Sequence, residues 1–161
     1  MNPIKYNPVY AVVRFIFLKL SRRIEYHVGN IGKTETLSDS KEYSVFLEIH
    51  ILDKNKKPKK GRAVFRVIFH SPRISADTVI KRTRFTVPFF SGLPGFCTKQ
   101  FMVNREDGKF SGRYEWETVE AARRYARSYA MGFMKKRSKP FPVTYEIIDR
   151  KMNTVIESGT V

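Results

Sequence analysis

From residue 43 onward the chain switches repeatedly between two hydrophobic periods. YSVFLEIHIL (43–52) sets Val45, Leu47, Ile49 and Ile51 against Ser44, Glu48 and His50, the period of two expected of a half-buried strand. AVFRVIFH (63–70), FCTKQFMVN (96–104), KFSGRYEW (109–116), VTYEIID (143–149) and TVIESGTV (154–161) read as further strands. Between them lie two helical stretches. Ser75 caps the first, which runs through Ala76, Val79, Ile80, Thr83 and Val87, is disturbed at Pro88 and closes at Gly92. Thr118 caps the second, in which Ala122, Ala126, Tyr129 and Phe133 are spaced as one buried stripe, and Pro140 and Pro142 stop it. Glu106-Asp107-Gly108 and Lys151–Asn153 supply hairpin turns.

The N-terminal part behaves differently. Asn7-Pro8 is a helix start, with Asn as N-cap and Pro at the first helical position. Val9, Val12, Val13, Ile16, Phe17, Leu20 and Ile24 follow at helical spacing, with Arg14, Lys19, Arg22 and Arg23 largely elsewhere on the wheel. The apolar run is about half of the ~20 residues that a membrane span needs, and Arg14 interrupts it. Its charge follows the apolar stretch, the reverse of a secretory signal. The helix therefore packs on its own domain or a dimer partner, or lies as a basic amphipathic helix on an anionic membrane. Residues 29–42, polar and without period, read as a loop or linker. The expected organisation is an N-terminal helix and linker over 1–42 and one folded domain over 43–161.

From 63 to 149 the order is strand, helix, strand, strand, helix, strand, the split βαβ or ferredoxin-like arrangement of the α+β class. Taking the first and third of these strands as adjacent and parallel places their last residues, His70 and Trp116, at the same sheet edge. Alternation also divides the faces. Phe65, Val67 and Phe69 share one with Val143, Tyr145 and Ile147, while Arg66, Ile68 and His70 fall on the other with Thr144, Glu146 and Ile148. If Gln100, Arg113 and Glu115 join that second face, it is too charged for a dry core, and a dimer interface with buried ion pairs or a wetted cavity accounts for it.

Charge refines this picture. The 161 residues carry a formal +16, with 31 Lys and Arg against 15 Asp and Glu. Residues 1–24 hold +5, 54–62 (KNKKPKKGR) +6 and 123–139 +7, which leaves the other 111 residues at −2. The basicity is thus local: an amphipathic helix, a solvated hairpin loop, and a cluster at Lys135–Lys139 that complements a helix C-terminus. Cys97 alone allows no disulfide within the chain, and His27, His50 and His70 have no zinc-like spacing with it. A reducing, cytoplasmic location follows, with contact to a membrane periphery as an option.

LPGF (93–96) entering the second core strand, then GRYEW (112–116) leading into TVEAARRYA, resembles the dimeric α+β-barrel superfamily and its small mono-oxygenases of the antibiotic-biosynthesis type. The resemblance covers residues 63 to 149. It implies a homodimer with facing sheets and, in each subunit, a pocket between sheet and helices, near the ends of the first and third core strands. It also implies oxidation of an apolar or aromatic small molecule by dioxygen without a cofactor. The haem-degrading branch of the superfamily places an Asn, a Trp and a helical His at set positions. Here Trp116 matches, His70 stands for the Asn and Ala126 for the His, so haem ligation of the family type is disfavoured.

A cofactor-free oxygenase needs a base to deprotonate a phenol or enol, and His70 is the candidate. Trp116, Tyr114, Tyr125 and Tyr129 are candidate pocket walls, and Arg113 or Arg66 a candidate partner for an enolate oxygen. His70 also has a structural reading as a hydrogen-bonding strand-end residue, and Trp116 and Tyr114 as core. Two other classes compete. A non-catalytic barrel would bind a lipid or other apolar ligand. An RNA-recognition module shares the strand order, but KFSGRYEW lacks the Gly-Phe core and places Glu115 among its aromatics. No hydrolase triad, paired-carboxylate motif or nucleotide-binding loop is visible.

Overall fold

A computed structural model describes residues 7–161; Lys5 of the first basic run lies outside the described residues. The elements in chain order are α1 (Pro8–Leu20), β1 (Ile24–Tyr26), β2 (Thr34–Thr36), β3 (Glu42–Ile51), β4 (Ala63–His70) and α2 (Ala76–Arg82). A 3-10 turn (Thr83–Thr86) then leads to α3 (Pro88–Ser91), β5 (Phe96–Asn104), β6 (Lys109–Trp116), α4 (Val119–Ala126), α5 (Tyr129–Ser138), β7 (Thr144–Asp149) and β8 (Thr154–Thr160). The caps are those that the side chains dictate. Asn7 Oδ1 accepts from Val9 N at 2.7 Å, Ser75 Oγ from Thr78 N at 3.3 Å and Thr118 Oγ1 from Ala121 N at 3.1 Å. Thr118→Ala should therefore cost about 1 kcal/mol in urea unfolding.

All strands join one sheet in the order β1-β3-β5-β6-β4-β7-β8, with β2 also paired to β3. Its central four, β5-β6-β4-β7, have the ferredoxin-like order, and each neighbouring pair is antiparallel. This corrects the expectation for β4 and β6. The helical crossover makes β4 and β5 run the same way, and β6 returns from β5 through the tight turn ending at Gly108 (φ +64°) to insert between them. Ala63 is thus opposite Trp116, and His70 opposite Lys109. His70 and Trp116 stand at opposite ends of the sheet.

The helices cover one sheet face, and the main core lies between, including Phe65, Val67, Tyr114, Trp116 and Tyr125. Residues 8–42, read as an appended helix and linker, contribute to the same layers. α1 packs on α3, β1 and β2 pair with opposite ends of β3, and Leu37 packs with Tyr43, Val45, Ile68 and Met102 on the second sheet face. The predicted buried stripe of α1 is reversed. Ala11, Phe15 and Leu18 are buried, whereas Val9, Val13, Ile16, Phe17 and Leu20 are exposed.

KNKKPKKGR is not a hairpin loop, because β3 and β4 are separated by β5 and β6; it crosses the sheet end between them. Residues 119–138 form two helices rather than one. The break at Arg127 and Ser128 turns the second so that Met131 and Met134 are buried and Phe133 is exposed. Among the described residues no helix is long and apolar enough to cross a membrane.

Candidate ligand-binding site

Strand parity decides what each face offers. Across the helix-facing side, Ile49, Lys99, Tyr114, Phe65 and Ile147 are successive cross-strand partners. Four of the five are apolar or aromatic; the fifth is a lysine. On the opposite side Glu48, Gln100, Arg113, Arg66 and Glu146 form a parallel row. The predicted polar face is therefore real, and ion pairs within the chain serve it. Arg66 meets Glu35 at 2.7 Å and Glu146 at 3.7 Å, and Glu115 holds Arg113 at 3.0 Å and Arg150 at 2.7 Å.

The helix-facing side encloses a cavity of about 640 Å³ between β3, β5, β6 and β4 below and α2, α3 and α5 above, with Pro8 of α1 also in its wall. That size suits one small organic molecule. Aromatic rings dominate the lining, among them Phe69, Phe90, Phe101, Phe110, Tyr114 and Tyr129. Among the described residues, neither a carboxylate nor an imidazole lines it.

Lys99 is the buried cationic residue in its floor; Lys136 and Arg137 of α5 also line the cavity. Lys99 is 7% exposed, and its Nζ lies 4.1 Å from the ring centre of Phe90, 3.8 Å from Phe101 and 4.2 Å from Tyr114. Such faces attract a cation, but they replace little of the hydration that a charged amine loses on burial. Burial accordingly holds the Lys99 ammonium well below the ordinary lysine range. Gly112 makes the arrangement fit: a Cβ there would stand 2.6 Å from the Tyr114 ring and 3.3 Å from Lys99 Cε. Behind the amine, Tyr125 donates a hydrogen bond to the Tyr114 hydroxyl at 2.8 Å, and burial raises both phenols.

The sheet separates the residues predicted to form one site. Tyr114, Tyr125 and Tyr129 line the cavity. Trp116 belongs to the core beside it, 1% exposed, edge-on to Phe96 and with Nε1 buried and unpartnered. His70, Arg66 and Arg113 lie on the opposite face, so His70 does not reach a substrate held among the tyrosines, and neither arginine reaches its oxygen. His70 instead stacks on Phe141 at 4.2 Å and donates its backbone N–H to Ser138 Oγ. Burial, then the charge of Lys109, lowers its imidazole from the usual value. Lys99 escaped the sequence reading, although the signal was present. Once Gln100 is assigned to the polar face, alternation places Lys99 on the apolar one with Phe101 and Val103.

No family model matches the chain, and no curated protein sequence does. In a search of solved structures it is similar to an uncharacterised ferredoxin-fold protein from Listeria monocytogenes, described as related to antibiotic biosynthesis monooxygenases. The two share 13% identity over 83% of this chain and 85% of the other, with a TM-score of 0.48.

Proposed function

We propose that this protein binds an apolar or aromatic small molecule bearing one acidic group, which sits in the cavity with that group against Lys99. The observation that carries this reading is a buried amine in an aromatic cavity lined, among the described residues, by no carboxylate. An unpaired amine is a costly core residue, and a carboxylate entering the cavity offsets the cost by accepting charge-assisted hydrogen bonds from the ammonium form of Nζ. An ester of the same ligand gains no such pair.

Trp116 is the chain's single tryptophan and sits beside Tyr114 and Tyr125, so its fluorescence reports on the cavity. An anthracene carboxylic acid should bind at least about tenfold more tightly than its methyl ester, the value of roughly one net charge-assisted hydrogen bond. Equal affinities would overturn the reading.

A second reading is favoured by the same amine: cofactor-independent oxygenation. An unprotonated Lys99 can take the proton of a phenol or enol, the role first assigned to His70. The carbanion passes one electron to dioxygen, the resulting radicals join as a peroxide, and loss of water leaves a carbonyl, so that a ring CH₂ plus O₂ gives C=O plus H₂O. Oxygen uptake with an anthrone should then survive His70→Ala and be lost in Lys99→Met. Dependence on His70 alone would refute it.

A further inference from the structure

Helix α1 is apolar on two opposite faces. Ala11, Phe15 and Leu18 are spent on the core, yet Val9, Val13, Ile16, Phe17 and Leu20 form a second stripe, from 50% exposed at Ile16 to 79% at Leu20. A helix with one side in water ordinarily presents polar residues there, and a continuous apolar stripe marks a surface that something covers. Charge says what. Residues 7–24 include Arg14, Lys19, Arg22 and Arg23 and no acid. Arg14 is engaged by the Gly92 carbonyl, while Lys19 and Arg22 are exposed. Lys56 of the basic crossover donates to the carbonyls of Ser21 and Arg22, which adds a third cation at the C-terminal end of the same helix.

We propose that this face of α1 docks on the anionic surface of a lipid bilayer, with the apolar stripe among the acyl chains and Lys19, Arg22 and Lys56 at the headgroups. Two copies of the chain meeting through this face would bring cation against cation, whereas an anionic bilayer complements both the stripe and the charge. Pro8, the first residue of the helix, lines the cavity together with the exposed rings of Phe89 and Phe133. The stripe therefore begins at the cavity, and docking brings that end to the membrane, where an apolar ligand is most concentrated. This last step rests on the ligand reading; the docking does not.

The test is co-sedimentation of the full chain with vesicles of phosphatidylcholine, with or without about one third phosphatidylglycerol, at low and high salt. The chain should partition onto the anionic vesicles, less so in high salt. Phe17→Ser/Leu20→Ser, whose side chains project to solvent and whose folding circular dichroism verifies, should lose at least about tenfold in partitioning. Lys19→Glu/Arg22→Glu should lose a similar factor on the anionic vesicles. Lys99→Met should bind vesicles like the parent, which separates this proposal from the ligand reading. A parent chain left in the supernatant, or a serine variant that partitions unchanged, overturns it. So does light scattering that shows the serine variant converting a dimer to a monomer while vesicle partitioning is unaltered, because a second copy then covers the face.

Discussion

Lys99→Met is expected to make the protein more stable while it loses its ligand. Methionine nearly matches the lysine stem in volume and suits a pocket formed by Phe90, Phe101 and Tyr114. Removing a buried polar group without a strong partner should yield about 1–3 kcal/mol at neutral pH, seen as a rise in Tm of several degrees. The pH dependence has a definite sign. The native Lys99 amine titrates below its unfolded value near 10.4, so the unfolded chain binds more protons between the two. Parent stability in this window therefore rises with pH. The advantage of Lys99→Met is full below the native pKa and shrinks, as pH climbs through the window towards about 10.4, to the smaller cost of burying the neutral amine. Residues that cost stability and face a cavity are characteristic of sites kept for function. A variant of lower stability and unchanged affinity would show instead that Lys99 is a packing residue.

Gly92→Ala should detach the N-terminal helix. A Cβ at Gly92 would stand 1.8 Å from the Ala11 carbonyl oxygen and 2.8 Å from its Cα, and neither backbone can yield by rotating a side chain. The helix must move away from α3, surrendering the burial of Ala11, Phe15 and Leu18 and the 3.0 Å bond from Arg14 to the Gly92 carbonyl. A loss of about 3–5 kcal/mol is expected, on the scale of a large core truncation. Trypsin should then cut after Lys19 and Arg22 much faster than in the parent. Resistance equal to the parent's would mean that the contact can relax without separating the helices.

These results show what a sequence can specify here. Where alternation runs for six residues or more between turn signals, as in 63–70, 96–104 and 109–116, the strands fall at the predicted positions, and Asn7, Ser75 and Thr118 cap as their chemistry requires. β1 and β2 have three residues each, too few to display a period, and Ile24 continues the helical spacing before it. The α1 wheel could not choose its buried side because both sides are apolar. The choice is made by Gly92, distant in sequence, whose missing side chain admits Ala11. Strand direction was misread because β4 and β5, which the crossover makes parallel, are not the neighbours; β6 lies between them and runs the other way.

For the site, the aromatic residues were legible by type: Tyr114 on a strand and Tyr125 and Tyr129 on helices all line the cavity. Its buried lysine was not. His70 drew attention by residue type, because histidine titrates near neutrality unaided. A lysine is shifted downward only when buried, and burial follows from packing rather than from the residue itself.

The central claim, that Lys99 is a buried amine whose ammonium form is held by an acidic ligand, is tested most directly by NMR titration of the full chain with lysine side chains isotopically labelled, Lys99 being assigned by its absence in Lys99→Met. The account predicts an Nζ signal that titrates well below the other lysines in the free protein and becomes that of an ammonium when an apolar carboxylic acid binds, but not when its methyl ester is added. A Lys99 signal that titrates with the exposed lysines and ignores the acid would contradict it.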